Sequence, residues 1–167
     1  MPKVTSHDLE SAIDAALEDL TGIDSLYPGQ HALLSSLMEH ENIIFTSSTN
    51  SGKTLPAVIY PRILKNLAQT GYPFPSNPKV LFLTALNSIK LSLVTNVKAM
   101  GINCEAVTID NLKILLDSDT SVLFISPEVF KTPAVSRTLL TYRSSIVLKV
   151  VDEAHLGKYY AMTNNLT

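Results

Sequence analysis

Two short clusters in this 167-residue chain carry residue types that can do chemistry together. The first is Ser47-Ser48-Thr49-Asn50-Ser51-Gly52-Lys53-Thr54, a set of small polar residues closing on a glycine, a lysine and a threonine. Where such a loop joins a strand to a helix, successive backbone N–H groups and the positive end of the helix dipole converge on an anion. Lys53 would then reach the β- and γ-phosphates of a nucleotide, and the Thr54 hydroxyl would ligate Mg²⁺. Ser47 stands where the pattern G-x-x-x-x-G-K-[ST] has its first glycine. Asn50 is a residue that tolerates left-handed backbone, so the loop can still close. The second cluster is Asp152-Glu153-Ala154-His155, directly after the apolar run Ile146 to Val151. A carboxylate at the mouth of a buried strand holds Mg²⁺ through water, and its neighbour can position and deprotonate an attacking water.

Chemistry of this kind needs strands and helices to deliver both clusters to one place. Ile43-Ile44-Phe45 reads as a short strand buried on both faces, and Leu55 to Leu67 as the helix after the loop. Further along, Lys79 to Ala85, Glu105 to Ile109, Ser121 to Ile125 and Ile146 to Val151 read as strands. Helical segments alternate with them: Asn87 to Met100, closed by Gly101, then Asn111 to Leu116 and Val135 to Tyr142. Before the loop, an amphipathic helix begins at Ser6, with Glu10 about where a capping box would place it, and Gly22 ends it. A second helix follows Leu26-Tyr27-Pro28-Gly29-Gln30 and runs to about His40. Alternation of this sort gives an α/β fold, a parallel sheet with helices on both faces, whose ligands sit at the carboxyl ends of the strands. Gln30 is open to two readings, a solvated first-turn residue or an amide that pairs with the edges of adenine.

Composition narrows the class. Hydrophobic residues make up 46% and charged residues 17%, which suits one globular domain with a real core. There is no apolar run long enough to span a membrane, and the N-terminus has no apolar signal core. Cys104 is the single cysteine, so a disulfide framework within the chain is excluded. A reducing compartment, nuclear or cytoplasmic rather than secreted, is expected. The net charge of −2 advertises no nucleic-acid binding, so any such contact has to come from a local surface.

The ordered series of motifs resembles superfamily 2 helicases, and within them the first RecA-like domain of RecQ-type DNA helicases. Leu26-Tyr27-Pro28-Gly29-Gln30 looks like that family's Phe-Arg-Pro-Gly-Gln adenine motif, with Tyr27 in place of arginine. Thr49 to Thr54 is similar to motif I. Leu83-Thr84-Ala85-Leu86-Asn87-Ser88 sits where the family has Ser-Pro-Leu-x-Ser-Leu, without its proline. Val97-Lys98-Ala99-Met100-Gly101-Ile102 resembles the Leu-Lys-Ala-Leu-Gly-Ile that follows. Ser126-Pro127-Glu128 looks like the Thr/Ser-Pro-Glu motif, and Asp152 to His155 matches the DEAH box in full.

The resemblance implies a P-loop NTPase domain over 26–167, preceded by a helical extension over 1–25. It implies ATP and Mg²⁺ as cofactors, with Gln30 on adenine, Ser47 to Lys53 around the phosphates, and Thr54 and Asp152 on the metal. Glu153 would orient water and His155 would couple nucleotide state to the rest of the motor. Thr84, Asn87, Ser126, Pro127 and Glu128 would line a path for single-stranded or partly duplex DNA, in preference to RNA, through phosphate contacts. The activity implied is the ATP-binding half of a 3′–5′ DNA helicase involved in repair and recombination. Two other readings stay open, a DEAD/DEAH-box RNA helicase fragment and a nucleotide-binding or scaffold module without turnover.

The departures are specific. Leu156 to Thr167 lacks the Trp-containing DNA-sensing loop of the family, and the chain stops twelve residues after His155. By the resemblance, the Ser-Ala-Thr motif, the second RecA-like domain and its arginine fingers would be missing. Fingers of that kind are worth ~10³–10⁵ in rate, so turnover by this chain alone is expected near background. The sheet is expected to be incomplete, with a gap between Ile43–Phe45 and Ile146–Val151, a direct pairing of the two, or the tail from Tyr159 to Thr167 filling the slot.

Overall fold

The computed structural model describes residues 3–39, 42–45, 52–84 and 87–151, with side chains in the fourth helix from residue 91 onward. Four strands form an all-parallel sheet: β1 (Lys79–Leu83), β2 (Cys104–Ala106), β3 (Val122–Ile125) and β4 (Ile146–Val151). Their order across the sheet is β2-β3-β1-β4. Val80 to Leu83 pair in unbroken register with Val122 to Ile125, and Leu81 to Leu83 with Lys149 to Val151.

Strand periodicity divides the core. Val80, Phe82, Val122 and Phe124 face one layer, which holds α1 (Ser6–Leu17), α3 (Thr54–Gln69) and Leu34 of α2 (Pro28–Glu39), with Val97 of α4 (Asn87–Ala99). Leu81, Leu83, Leu123 and Ile125 face the other. There they meet α5 (Leu112–Asp117), α6 (Pro127–Phe130) and α7 (Pro133–Thr141). Helices thus cover both faces, as a parallel sheet requires and as the alternation of elements in the sequence predicts.

The N-terminal helix belongs to the same core as the sheet. Leu9, Ala12, Ile13 and Ala16 are buried against Ile59, Ile63 and Leu67 of α3. The Asn66 amide donates to the Ala12 carbonyl at 3.2 Å, and Arg62 donates to the carbonyls of Ala16 and Gly101. The cap of α1 is Thr5, not a Ser6–Glu10 pair: the Thr5 hydroxyl oxygen accepts from the Asp8 N–H at 3.1 Å. The helix ends at Leu17, before Gly22, which serves the following turn with φ of 75°.

The expected strand at Ile43–Phe45 is not formed. Residues 42–45 carry no regular structure, with Ile44 80% and Phe45 39% exposed. Among the described residues no sheet neighbour takes up their backbone groups, so three β-formers in a row do not suffice. Consequently the proposed direct pairing with Ile146–Val151 is absent from the sheet, and β4 is its edge among the described residues. The tail from Tyr159 to Thr167 lies outside the described residues.

The start of β1 is fixed by an unusual residue. Lys79 is fully buried, and its ammonium donates to the Ser118 carbonyl at 2.5 Å and the Thr120 carbonyl at 2.7 Å. Burial lowers its pKa, while Asp119 and Asp117 oppose that effect. Lys79 thereby ties the turn before β3 to the strand beside it.

Candidate functional site

α3 precedes β1, an inner strand of the described sheet, and packs in the core layer that Val80 and Phe82 of β1 face. Its N-terminus is where the sequence reading places phosphate chemistry. Gly52 opens this helix with φ of 68°, Lys53 takes the cap position in right-handed backbone, and Thr54 is the first helical residue. Lys53 is exposed and Thr54 half-buried.

Gln30 is hydrogen-bonded to this opening. Pro28 is the first residue of α2, so Tyr27 is its cap and Gln30 its third residue, where a glutamine side chain can reach back to the cap. Here Gln30 Oε1 accepts from the Tyr27 N–H at 2.9 Å, and Gln30 Nε2 donates to the Gly52 carbonyl at 3.0 Å. The same carbonyl accepts from the Leu55 N–H at 3.1 Å, the first turn of α3. Gln30 is only 4% exposed, which removes the reading of a solvated turn residue. Gly52 answers two demands at once: an L side chain would be strained at its φ, and a Cβ would overlap the Gln30 amide nitrogen. A second tie lies further along, where the Tyr60 hydroxyl donates to the Leu37 carbonyl at 3.3 Å. Burial pushes that hydroxyl up to about 12.

The neighbouring strand ends are closed. Thr84 follows β1 at 3% exposure, and its N–H donates to the Ile125 carbonyl at 3.1 Å. Ser126 follows β3, is buried, and caps α6 by accepting from the Val129 N–H at 3.5 Å. Pro127 is buried and Glu128 exposed. Asn87 begins α4, but its side chain is outside the described residues. So are Ser47, Ser48, Thr49, Asn50, Ser51, Asp152, Glu153 and His155. Of the candidate residues, the described structure joins Gln30 directly to Gly52 and leaves Lys53 exposed at the same helix opening.

Sequence reasoning missed the commitment of the Gln30 amide. The signal was present, since Pro at the first helical position and Gln at the third is a capping pattern. Among the described residues, no group of three or more His, Cys, Asp or Glu is placed to hold a metal ion, and no helix is long and apolar enough to cross a membrane. In comparison with known proteins, no family model and no curated protein matches the chain.

Proposed function

We propose that the chain binds a nucleoside triphosphate with Mg²⁺ at the opening of α3, and that it is the first RecA-like, P-loop domain of a RecQ-like DNA helicase. The observation that carries the nucleotide reading is the left-handed Gly52 held against Gln30 immediately before Lys53 and Thr54. A glycine in left-handed backbone, followed by lysine and threonine at a helix N-terminus, suits close approach of backbone to phosphate. Thr54 and Asp152 would hold the Mg²⁺, and Glu153 would orient water; these roles come from the resemblance of the motifs. A calorimetric titration with MgATP tests the reading. Lys53→Ala should weaken binding by roughly 1.5–3 kcal/mol, the worth of a charge-assisted contact. Equal affinity of wild type and variant would sink it.

One observation favours a second reading, a nucleotide-binding module without a nucleic-acid path. Thr84, Ser126 and Pro127 are buried, with Ser126 occupied as a helix cap, so their side chains offer little to a strand of DNA. Fluorescence anisotropy with labelled single-stranded DNA separates the two readings. Salt-sensitive binding strengthened by a nucleotide analogue supports the helicase domain, and its absence supports the module.

A further inference from the structure

At the end of α3 remote from Lys53, its last turn and the first turns of α1 border two adjoining hollows of about 260 and 200 Å³. Asp8, Thr70 and Tyr72 line the first. The second runs along Asp8, Ser11 and Ala15 of α1 against Gln69 and Thr70. Sixteen helical residues, about 24 Å, separate this groove from the start of α3. We propose that the groove docks an extended, lysine-bearing segment of a partner protein, with one lysine ammonium seated on Asp8.

Asp8 supplies the charge. Its Oδ2 accepts from the Thr5 hydroxyl at 2.6 Å and from the Tyr72 hydroxyl at 2.7 Å. Among the described residues Oδ1 accepts from no donor, and the carboxylate makes no ion pair. The Thr5 hydroxyl first, then the Tyr72 hydroxyl, hold the carboxyl below its ordinary value, with His7 contributing least. Thr70 donates its hydroxyl to the Leu67 carbonyl at 2.9 Å, which leaves lone pairs on its oxygen for a further donor. The negative end of the α3 dipole adds to the attraction for a cation. Among the described residues no lysine, arginine or histidine lines either hollow, and α1 carries Asp8, Glu10 and Asp14 with no lysine or arginine.

An arginine fork needs both carboxylate oxygens, and Oδ2 already accepts twice. One open oxygen suits a lysine ammonium, a compact charge with three donors for acceptors on Asp8 and Thr70, which border the same hollow. Size and shape choose the rest of the occupant. Neither hollow alone reaches the ~300–1,000 Å³ of pockets that enclose small molecules, and Ser11, Ala15, Gln69 and Thr70 are exposed. Asp8 to Ala15 covers two turns of α1, about 10 Å, the reach of roughly three extended residues. A polypeptide lying along the groove meets it with several side chains, as a small amine does not.

The test uses short fluorescein-labelled peptides in anisotropy titrations at low salt, one alternating lysine with serine and one alternating arginine with serine. The lysine peptide should bind in the submillimolar range, and the arginine peptide no tighter. Asp8→Asn keeps an oxygen for the two hydroxyls but removes the charge, and should weaken the lysine peptide about three- to fivefold. Gln69→Lys places a cation in the groove at a helix C-terminus, where it favours the fold, and should weaken binding at least as much. Asp110→Asn makes the same change of charge as Asp8→Asn in the exposed turn before α5, and should leave binding unchanged. Equal losses in Asp8→Asn and Asp110→Asn would reduce the binding to overall charge and overturn the proposal. So would an arginine peptide bound more than about tenfold tighter, or no binding of either peptide. N-acetyl-lysine amide competing mole for mole as well as the lysine peptide would mark a site for small amines and overturn it too. Each outcome stands whether or not a nucleotide binds at the opening of α3.

Discussion

In the middle of the sheet, β1 has a hydrogen-bonded strand on each side, and Val80 to Leu83 are 0–3% exposed. At β4 only one side is paired among the described residues, and each position from Ile146 to Val151 is half-buried. Ile43 to Phe45, of similar residue types, stand outside the sheet altogether. The gradient follows the number of strand neighbours and not the hydrophobicity of the run. A strand with two partners satisfies its backbone and has both faces covered by helices. One with a single partner keeps an unpaired edge that water has to reach. The two edges differ as well, since Cys104 at the start of β2 is fully buried under α4 while β4 has no fully buried residue.

The largest effect should come from the centre. Phe124→Ala removes a ring that packs on Phe82 at 5.3 Å between centroids, and should cost about 3–5 kcal/mol in chemical denaturation. Val150→Ala on β4 should cost about 1 kcal/mol. Similar costs at the two sites would erase the distinction between centre and edge.

Next comes the opening of α3. Gly52→Ala should lose about 1–2 kcal/mol from left-handed strain alone, and more from overlap with the Gln30 amide. Combining it with Gln30→Ala should recover part of that loss, so the two changes should be less damaging together than their sum. Strict additivity in the double-mutant cycle would mean that the two residues do not press on one another.

The buried edge can be read through pH. Burial pushes the Cys104 thiol up to about 11 from an ordinary value of 9.0, Lys98 opposing in part. The unfolded chain releases this proton first. The thiol's contribution is therefore complete below about pH 9 and is lost as pH rises toward 11, on the order of 2 kcal/mol over that window. Cys104→Ala should flatten the stability profile between those values relative to wild type. An unchanged slope would place the alkaline sensitivity elsewhere.

Smallest of all, Ile44→Ser should change stability by no more than about 0.5 kcal/mol, because the side chain is 80% exposed. A loss of 2 kcal/mol or more would indicate that residues 42–45 join the folded core in solution.

Much of the architecture was legible locally. Ile146–Val151 was read to the residue, and Lys79–Leu83 and Val122–Ile125 to within two residues, because apolar runs bounded by turn residues are distinctive. Boundaries were looser where local chemistry competes. Thr5 took the cap from Ser6 because Asp8 lies three residues on from it, with its N–H on the Thr5 hydroxyl. At the candidate site, the Gly52-Lys53-Thr54 helix opening could be read from sequence, but the burial of Gln30, Thr84 and Ser126 could not.

The sequence by itself determined the alternation of strand and helix, the two-sided core, and a glycine followed by lysine and threonine at a helix opening. Each depends on periodicity or on backbone sterics within a few residues. Tertiary structure alone decided that Ile43–Phe45 stays out of the sheet, that Lys79 is buried on the carbonyls of Ser118 and Thr120, and that Gln30 holds Gly52. Those outcomes turn on partners 22 to 41 residues away, or on the lack of one, and no local pattern encodes where a distant backbone group will stand.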